Sequence, residues 1–352
     1  MIATEGKVHV DAAAYHPVGL RMIKVNTDPV ALSHLRISLS PLWETFGSLS
    51  SLAWGRASSW PHSEWGRNAE QALAGRPGAA LVTWIRRLHG QVPQELTPVP
   101  STIERSIDME LQAMVGRLAE AGSDRLADLI AGSPMPPGTS GSAWLTWLTE
   151  AVLDYWEAAL EPYWASMRMA LRNDVSQRAQ RLATEGTDAV LAAVDSRLRW
   201  QRPVLTLSTA AVSATVECDE RLILVPMLFG RRATRCVVEP AGVVGVSYQA
   251  RGAALLAKPR TARAPSDDDR LALLLGRGRA AVLRGLAEPT TTSDLAESLG
   301  LSASTISEHL KTLVAADVVH KRRDGVRVIY ALDGAGMALL KYLGDEDAPP
   351  PH

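Results

Sequence analysis

The stretch SASTISEHLKTL (Ser302–Leu313) gathers small hydroxyls at Ser302, Ser304, Thr305 and Ser307, opposite an apolar stripe of Ile306, Leu310 and Leu313. Hydroxyl side chains compete with the helical backbone for hydrogen bonds and are mediocre helix formers in water. On the solvent side of a helix they suit close approach to a second surface. Shortly after comes HKRRDGVRVIYAL (His320–Leu332), where Lys321, Arg322, Arg323 and Arg327 stand against Asp324 alone. The chemistry on offer is hydrogen bonding and charge attraction, and phosphate is a natural counterpart of the arginine fork.

Other chemistries find little support. The chain holds no H-E-x-x-H, no Walker lysine loop and no G-x-S-x-G. GRGRAA (Gly276–Ala281) imitates a dinucleotide loop but reads as lying within a helix, not after a strand. Two cysteines, Cys218 and Cys236, supply neither a disulfide framework nor a thiolate-rich zinc site. The reading is therefore not an enzyme, with no cofactor and no metal, and a reduced, cytoplasmic setting.

The elements that must position the hydroxyls follow from local signals. Leu271–Ala287 reads as one helix, ended by Pro289. Ser293–Leu299 forms a short helix, Gly300 suits a left-handed turn, and Ser302 caps a helix running to about Ala316. Leu295, Leu299, Leu301, Ile306 and Leu310 are expected to hold the pair together as a helix-turn-helix. Ala303, Ser304, Thr305, Ser307 and Glu308 then lie nearest a nucleic acid, with Ser302 and Lys311 beside them. His309 reaches a phosphate or packs beside Leu310; both readings stand. Val318–Arg322 and Val326–Leu332 flank Asp324-Gly325, a strong hairpin signal, so the module is expected to be a winged helix.

At these residues the sequence resembles the ArsR-type winged-helix repressors. DLAESLGLSASTISEHLKTL matches their pattern of short helix, turn and recognition helix, and HKRRDGVRVIYAL matches their wing. The wider chain resembles a subgroup with a long N-terminal region of undefined function, through SPLWETFGSL, RLILVPMLFG and SYQARGAALL. The resemblance implies double-stranded DNA as partner, bound by a homodimer at a pseudo-palindromic operator. It does not extend to metal sensing: TTTSDLAES lacks the Cys-x-Cys pair, and GAGMALLKYLGDED lacks paired ligands on the last helix. Where such proteins usually carry a basic or amide residue, this chain has Glu308, which repels phosphate and accepts only from a donor such as cytosine N4.

The remaining chain sets the context. Its 352 residues, 46% hydrophobic and 21% charged, suggest two or three globular domains. A net charge of −1 argues against a surface that coats nucleic acid throughout, though one basic module is compatible with it. No stretch approaches the ~18–20 apolar residues of a membrane span, and no export signal opens the chain. The fold class read here is mainly α with a small antiparallel β region and a C-terminal winged helix-turn-helix.

The expected organisation is a disordered extension over 1–21, a helical effector or dimerisation domain over 22–200, and a β-rich subdomain over 201–258. A linker over 259–269, the DNA-binding module over 270–344 and a disordered tail over 345–352 complete it. Ser40-Pro41 signals a capped helix, and Pro162 is expected to interrupt the helical run from Trp144. All ten tryptophans precede residue 201. Trp43, Trp144, Trp147, Tyr155, Trp156 and Trp164 are the candidates for a pocket that takes an apolar or aromatic effector, although plain core is the commoner use of such residues. Against the regulator stand an adaptor whose winged helix docks a protein and, less favoured, a catalytic N-terminal domain with a deep polar site before residue 200.

Overall fold

The computed structural model describes residues 8–10, 21–55, 57, 62–101, 104–195, 197–209, 213–230, 234–251, 270–287, 289–299, 301–324 and 327–343. The predicted linker and C-terminal tail lie outside them. The chain divides into two compact units, one of 1–55, 70–161 and 171–250, the other of 56–69, 162–170 and 251–352.

In chain order the elements before residue 251 are β1 (Val8–Val10), β2 (Arg21–Thr27), α1 (Pro29–Ser33), β3 (Arg36–Ile37), α2 (Pro41–Ala53), α3 (Ser63–Leu73) and α4 (Gly78–Arg87). Next come α5 (Ile107–Glu120), α6 (Ser123–Gly132), α7 (Gly141–Tyr155), α8 (Glu161–Glu185) and α9 (Thr187–Ala192). The strands β4 (Leu198–Gln201), β5 (Val204–Thr209), β6 (Ala214–Cys218), β7 (Arg221–Met227), β8 (Cys236–Val238) and β9 (Val243–Gln249) follow. Along the chain, α3 and α8 each cross from one unit to the other.

The first unit carries two sheets, ordered β1-β6-β2-β5-β4 and β3-β7-β9-β8. Strand β7 explains how they stack. Its run LILVPM is buried throughout, yet alternate residues serve different cores. Leu222 and Leu224 join Val25, Leu205, Leu207 and Val216 of the five-stranded sheet, while Ile223, Val225 and Met227 join Trp43 of α2. A strand covered on both faces reads as a continuous apolar run, because period-two alternation then has no polar side.

The β region therefore departs from the expected antiparallel subdomain at 201–258. β7 runs parallel to both β9 and β3, and β2 runs parallel to β6 and antiparallel to β5. Both sheets recruit strands from the first 37 residues. Val8–Val10, within the predicted disordered extension, pairs antiparallel with β6. No hairpin turn joins such partners, so nothing local in the sequence announces them.

Two helix signals fare differently. Ser40 caps α2, its Oγ accepting from Trp43 N at 3.0 Å, with Pro41 in the first turn. Pro162 does not interrupt the chain after α7. A π-helical turn over Trp156–Leu160 leads directly into α8, and the proline sits in the first turn of that helix. There its missing N–H has no intrahelical partner to lose.

In the second unit, α10 (Arg270–Leu275) and α11 (Arg277–Gly285) replace the single helix expected over Leu271–Ala287. Gly276 separates them at φ +79°, a conformation open to glycine and strained for other residues. GRGRAA thus straddles a helix break, still without a preceding strand. β10 (Thr290–Thr291), α12 (Thr292–Leu299), α13 (Ala303–Ala315), β11 (Val319–Asp324), β12 (Arg327–Leu332) and α14 (Gly334–Leu343) complete the module. The strands form a sheet ordered β10-β12-β11. Leu271, Val282, Leu283, Leu286, Leu295, Ile306, Leu310, Leu313 and Val319 make its core. Of the five residues expected to join α12 to α13, Leu295, Ile306 and Leu310 are buried and Leu299 is half-buried, whereas Leu301 is exposed. The whole is mainly helical with small sheets.

Candidate nucleic-acid interface

Ser302 organises the start of α13. Its Oγ accepts from Thr305 N at 3.1 Å and lies 2.7 Å from Ser304 Oγ and 2.8 Å from Thr305 Oγ1. A cap of this kind satisfies one of the helix's open N–H groups. Ser302, Ala303 and Ser304 are exposed, and Thr305 and Ser307 half-buried. Ile306, Leu310 and Leu313 point the other way, into the core. The first turn and a half of α13 therefore offers a shallow face of hydroxyls and one methyl, from which nothing long projects.

Glu308 and Lys311, both exposed, close that face with an ion pair at 2.7 Å. The hydrogen bond and charge of Lys311 hold the Glu308 carboxyl below its ordinary range, and Glu308 in turn raises the lysine. The acid that would repel phosphate thus has its own cation one turn along. His309 turns inward instead. Its Nε2 lies 2.6 Å from where a Cβ on Gly278 would sit, so the ring rests against bare backbone of α11. The half-buried ring packs against α11 in this structure.

Beside α13, the hairpin pairs Lys321 with Tyr330, Arg322 with Ile329, Arg323 with Val328 and Asp324 with Arg327. Lys321 and Arg323 fall on one face and Arg322 on the other, as strand periodicity requires. All three are exposed. Gly325 and Val326, at the expected turn, lie outside the described residues, as does Gly300 before α13. β10, which sequence reading missed, zips Thr290 to Tyr330 and Thr291 to Ile329 and so ties the hairpin to the base of α12. Two residues give no periodicity by which to find it.

The six candidate effector residues fall into separate surroundings. Trp43 is fully buried against β7, its Nε1 donating to Pro98 O at 2.9 Å. Trp144 and Trp147, on α7, make edge contacts with Trp84 of α4, at 6.1 and 6.0 Å between ring centroids. Tyr155 places its hydroxyl 2.9 Å from Ser48 Oγ of α2, and burial pushes its phenol well above the ordinary value. Trp156 is buried in the π-helical turn; Trp164 is half-buried and belongs to the other unit. Trp84, one of the ten tryptophans but not one of the six candidates, is the residue that joins two of the six.

The strongest polar features of the first unit were not foreseen. Glu44 of α2 is fully buried and accepts from Leu228 N at 2.5 Å and Phe229 N at 3.2 Å; desolvation pushes it up to about 8. Glu110 of α5 accepts from Ser40 Oγ and Leu42 N, and burial raises it to about 7. Asp174 accepts from Arg178 Nε at 2.9 Å and from Tyr248 OH at 2.7 Å, with the guanidinium also over the tyrosine ring. Cys218 and Cys236 are free thiols that burial raises to about 12, far from the thiolate that redox or metal chemistry needs.

Residues 278–322, which run from α11 into β11, match the family model of a helix-turn-helix domain. The C-terminal module is a helix-turn-helix domain. Over 70 residues, 20% of the chain, it is 40% identical to the HTH-type transcriptional regulator Rv2034 of Mycobacterium tuberculosis, and the match spans 65% of that protein's length. No solved structure matches the chain. Among the described residues no helix is long and apolar enough to cross a membrane.

Proposed function

We propose that the protein is a sequence-specific, DNA-binding transcriptional regulator of the ArsR-like winged-helix type, acting as a cytoplasmic repressor. The observation that carries this reading is the exposed hydroxyl face of α13 beside the exposed cations Lys321, Arg322 and Arg323, within a helix-turn-helix segment. A recognition helix entering the major groove needs small donors and acceptors near its N-terminus, and the strand beside it needs positive charge for phosphate. Ser302, Ala303, Ser304, Thr305 and Ser307 approach bases and sugar-phosphate edges. Lys321, Arg322, Arg323 and Arg327 bind phosphate as the wing, and Lys311 offsets Glu308. The regulator named among the similar proteins supports the same role.

The functional form is a homodimer on a pseudo-palindromic operator, its half-site centres about 10 bp apart. In support, Leu273 and Leu274 of α10 and Met337 and Tyr342 of α14 are exposed at 71%, 61%, 51% and 70%. These two helices neighbour each other in the DNA-binding module, and apolar surface of this kind is the usual material of subunit contact. The first unit, with its buried aromatic residues, is the effector and oligomerisation part. A ligand there acts by preferring one protomer geometry over the other.

The test is fluorescence anisotropy of the full chain on duplex from its own upstream intergenic region, against scrambled duplex, at two salt concentrations. Specific binding at about 10⁻⁸ M or tighter, well separated from scrambled DNA, is the expected result. Weak binding that is equal on both duplexes and insensitive to salt would place the module with protein adaptors instead.

A further inference from the structure

Arg235 lies immediately before β8, in the first unit. Its backbone N–H donates to Ser247 Oγ at 2.7 Å, two residues from the C-terminal end of β9. Its side chain turns toward α2, where Nη2 donates to Phe46 O at 3.3 Å and Ser50 Oγ at 3.2 Å. Both acceptors are neutral. Its Nε is buried without a partner, and the adjacent Thr234 Oγ1 is buried without one as well. Among the described residues of this unit Arg178 meets Asp174, Arg197 meets Asp195 and Arg117 meets Glu239, while Arg221, whose Nε is likewise buried without a hydrogen-bond partner, has the Glu220 carboxylate 3.9 Å away. Glu44, on the same helix as Phe46, directs its two oxygens to Leu228 and Phe229 N–H groups instead.

Arg235 is half-buried as a whole, but a guanidinium edge buried with no anion is costly, and such groups are normally paired. On α2, the helix that supplies both acceptors, Phe46 and Leu49 are apolar and fully buried. The position, at the carboxyl end of parallel strands β7 and β9, is where open α/β sheets hold their ligands. We infer that Arg235, with Thr234 beside it, is the anchor of a binding site for a small organic monocarboxylate with an apolar body. The free N–H edge of the fork takes the carboxylate, and Thr234 Oγ1 donates to it. Charge selects the class: one unmet cation balances one negative charge, whereas a doubly charged phosphate would leave a buried excess.

The site itself stands on the first unit alone; its service as the effector site rests on the regulatory reading above. The experiment is a titration of the full-length protein with sodium benzoate and sodium acetate, and with phosphate as the contrasting anion. Ionic strength is held constant with chloride, no DNA is present, and tryptophan fluorescence and Tm are followed. Benzoate is expected to give a saturable signal and a rise in Tm, at lower concentration than acetate, while phosphate follows chloride. R235M should abolish the response and, in chloride, keep or raise the wild-type Tm, since it removes an uncompensated buried charge. R235K keeps the charge without the fork and should shift half-saturation at least roughly tenfold upward, the loss of one bidentate contact; it decides the matter should R235M fail to fold. Three results would overturn the assignment: no saturable carboxylate response, a response that R235M or R235K retains undiminished, or saturation by phosphate alone. The absence of DNA keeps this outcome separate from that of the anisotropy test.

Discussion

Two polar regions of this molecule obey opposite economies. On α13 and β11 the cations are exposed and the hydroxyls exposed or half-buried, with hydrogen-bonding capacity turned toward water. In the first unit Glu44, Glu110, Asp174 and Arg178 are buried and spend theirs on backbone groups and on one another. Polar groups held in reserve at a surface serve another molecule, whereas polar groups consumed inside serve the fold. Substitutions should therefore separate into those that move stability and those that move binding.

The largest effect is expected from the buried network. In R178M the Asp174 carboxylate loses its guanidinium while the carbonyls of Ala193 and Val194 lose their donors. Removing one partner of a buried pair costs about 3–5 kcal/mol, which denaturant unfolding should report as a lower midpoint. Replacement at no cost would show that solvent reaches Asp174 and would dissolve the contrast. A smaller loss is expected from G336A, where a new Cβ would lie 2.1 Å from Val318 O. Backbone cannot yield as a side chain can, so α14 must shift from the chain just before β11, at about 1–3 kcal/mol.

The buried carboxyls add a pH signature. Glu44 and Glu110 are raised, to about 8 and about 7, by desolvation. Between their ordinary value of 4.5 and those values the unfolded chain releases the protons that the folded chain keeps. Their contribution is complete below about pH 4.5 and is lost as pH rises through 7 and 8, with a slope of at most about 1.4 kcal/mol per unit for each group. Unfolding curves from pH 5 to 8.5 should decline accordingly, and less steeply in E44Q. A flat profile shared by wild type and E44Q would mean that both carboxyls are ionised throughout.

What could be read in advance follows the same division. The cap at Ser302, the apolar stripe of Ile306, Leu310 and Leu313, and the hairpin strands depend on neighbours in sequence, and all are present in the structure. The pairing of Lys24 with Thr215 depends on residues far apart in the chain, with no turn between them to fix the register. Gly276 was legible as a glycine but not as a break, since helical patterning continues on both sides. Arg235 carried no local mark at all, because its burial is imposed by α2. Ser304 and Arg323 were named for their types; their exposure is what the fold adds.

For the exposed face, binding should change where stability does not. R323A should weaken all duplexes alike and reduce the salt slope by about one, with Tm nearly unmoved. T305A should instead alter the preference among sites, and an unchanged preference would displace α13 from the groove.

The finest test uses the pair within that face. Lys311 and Glu308 are both exposed, so their 2.7 Å contact contributes little to folding. Toward DNA they are not equivalent. K311A removes one cation and also uncovers the Glu308 carboxylate, so affinity should fall by more than a single phosphate contact explains. E308A removes the repulsive charge and leaves Lys311 free, so affinity should hold or rise, except at sites where a cytosine N4 needs an acceptor. The double variant should bind better than K311A alone. That non-additivity, read as a double-mutant cycle in binding with none in unfolding, is what two neighbouring charges on a DNA-facing surface must give. Strict additivity in both assays would mean that α13 meets its partner with some other face.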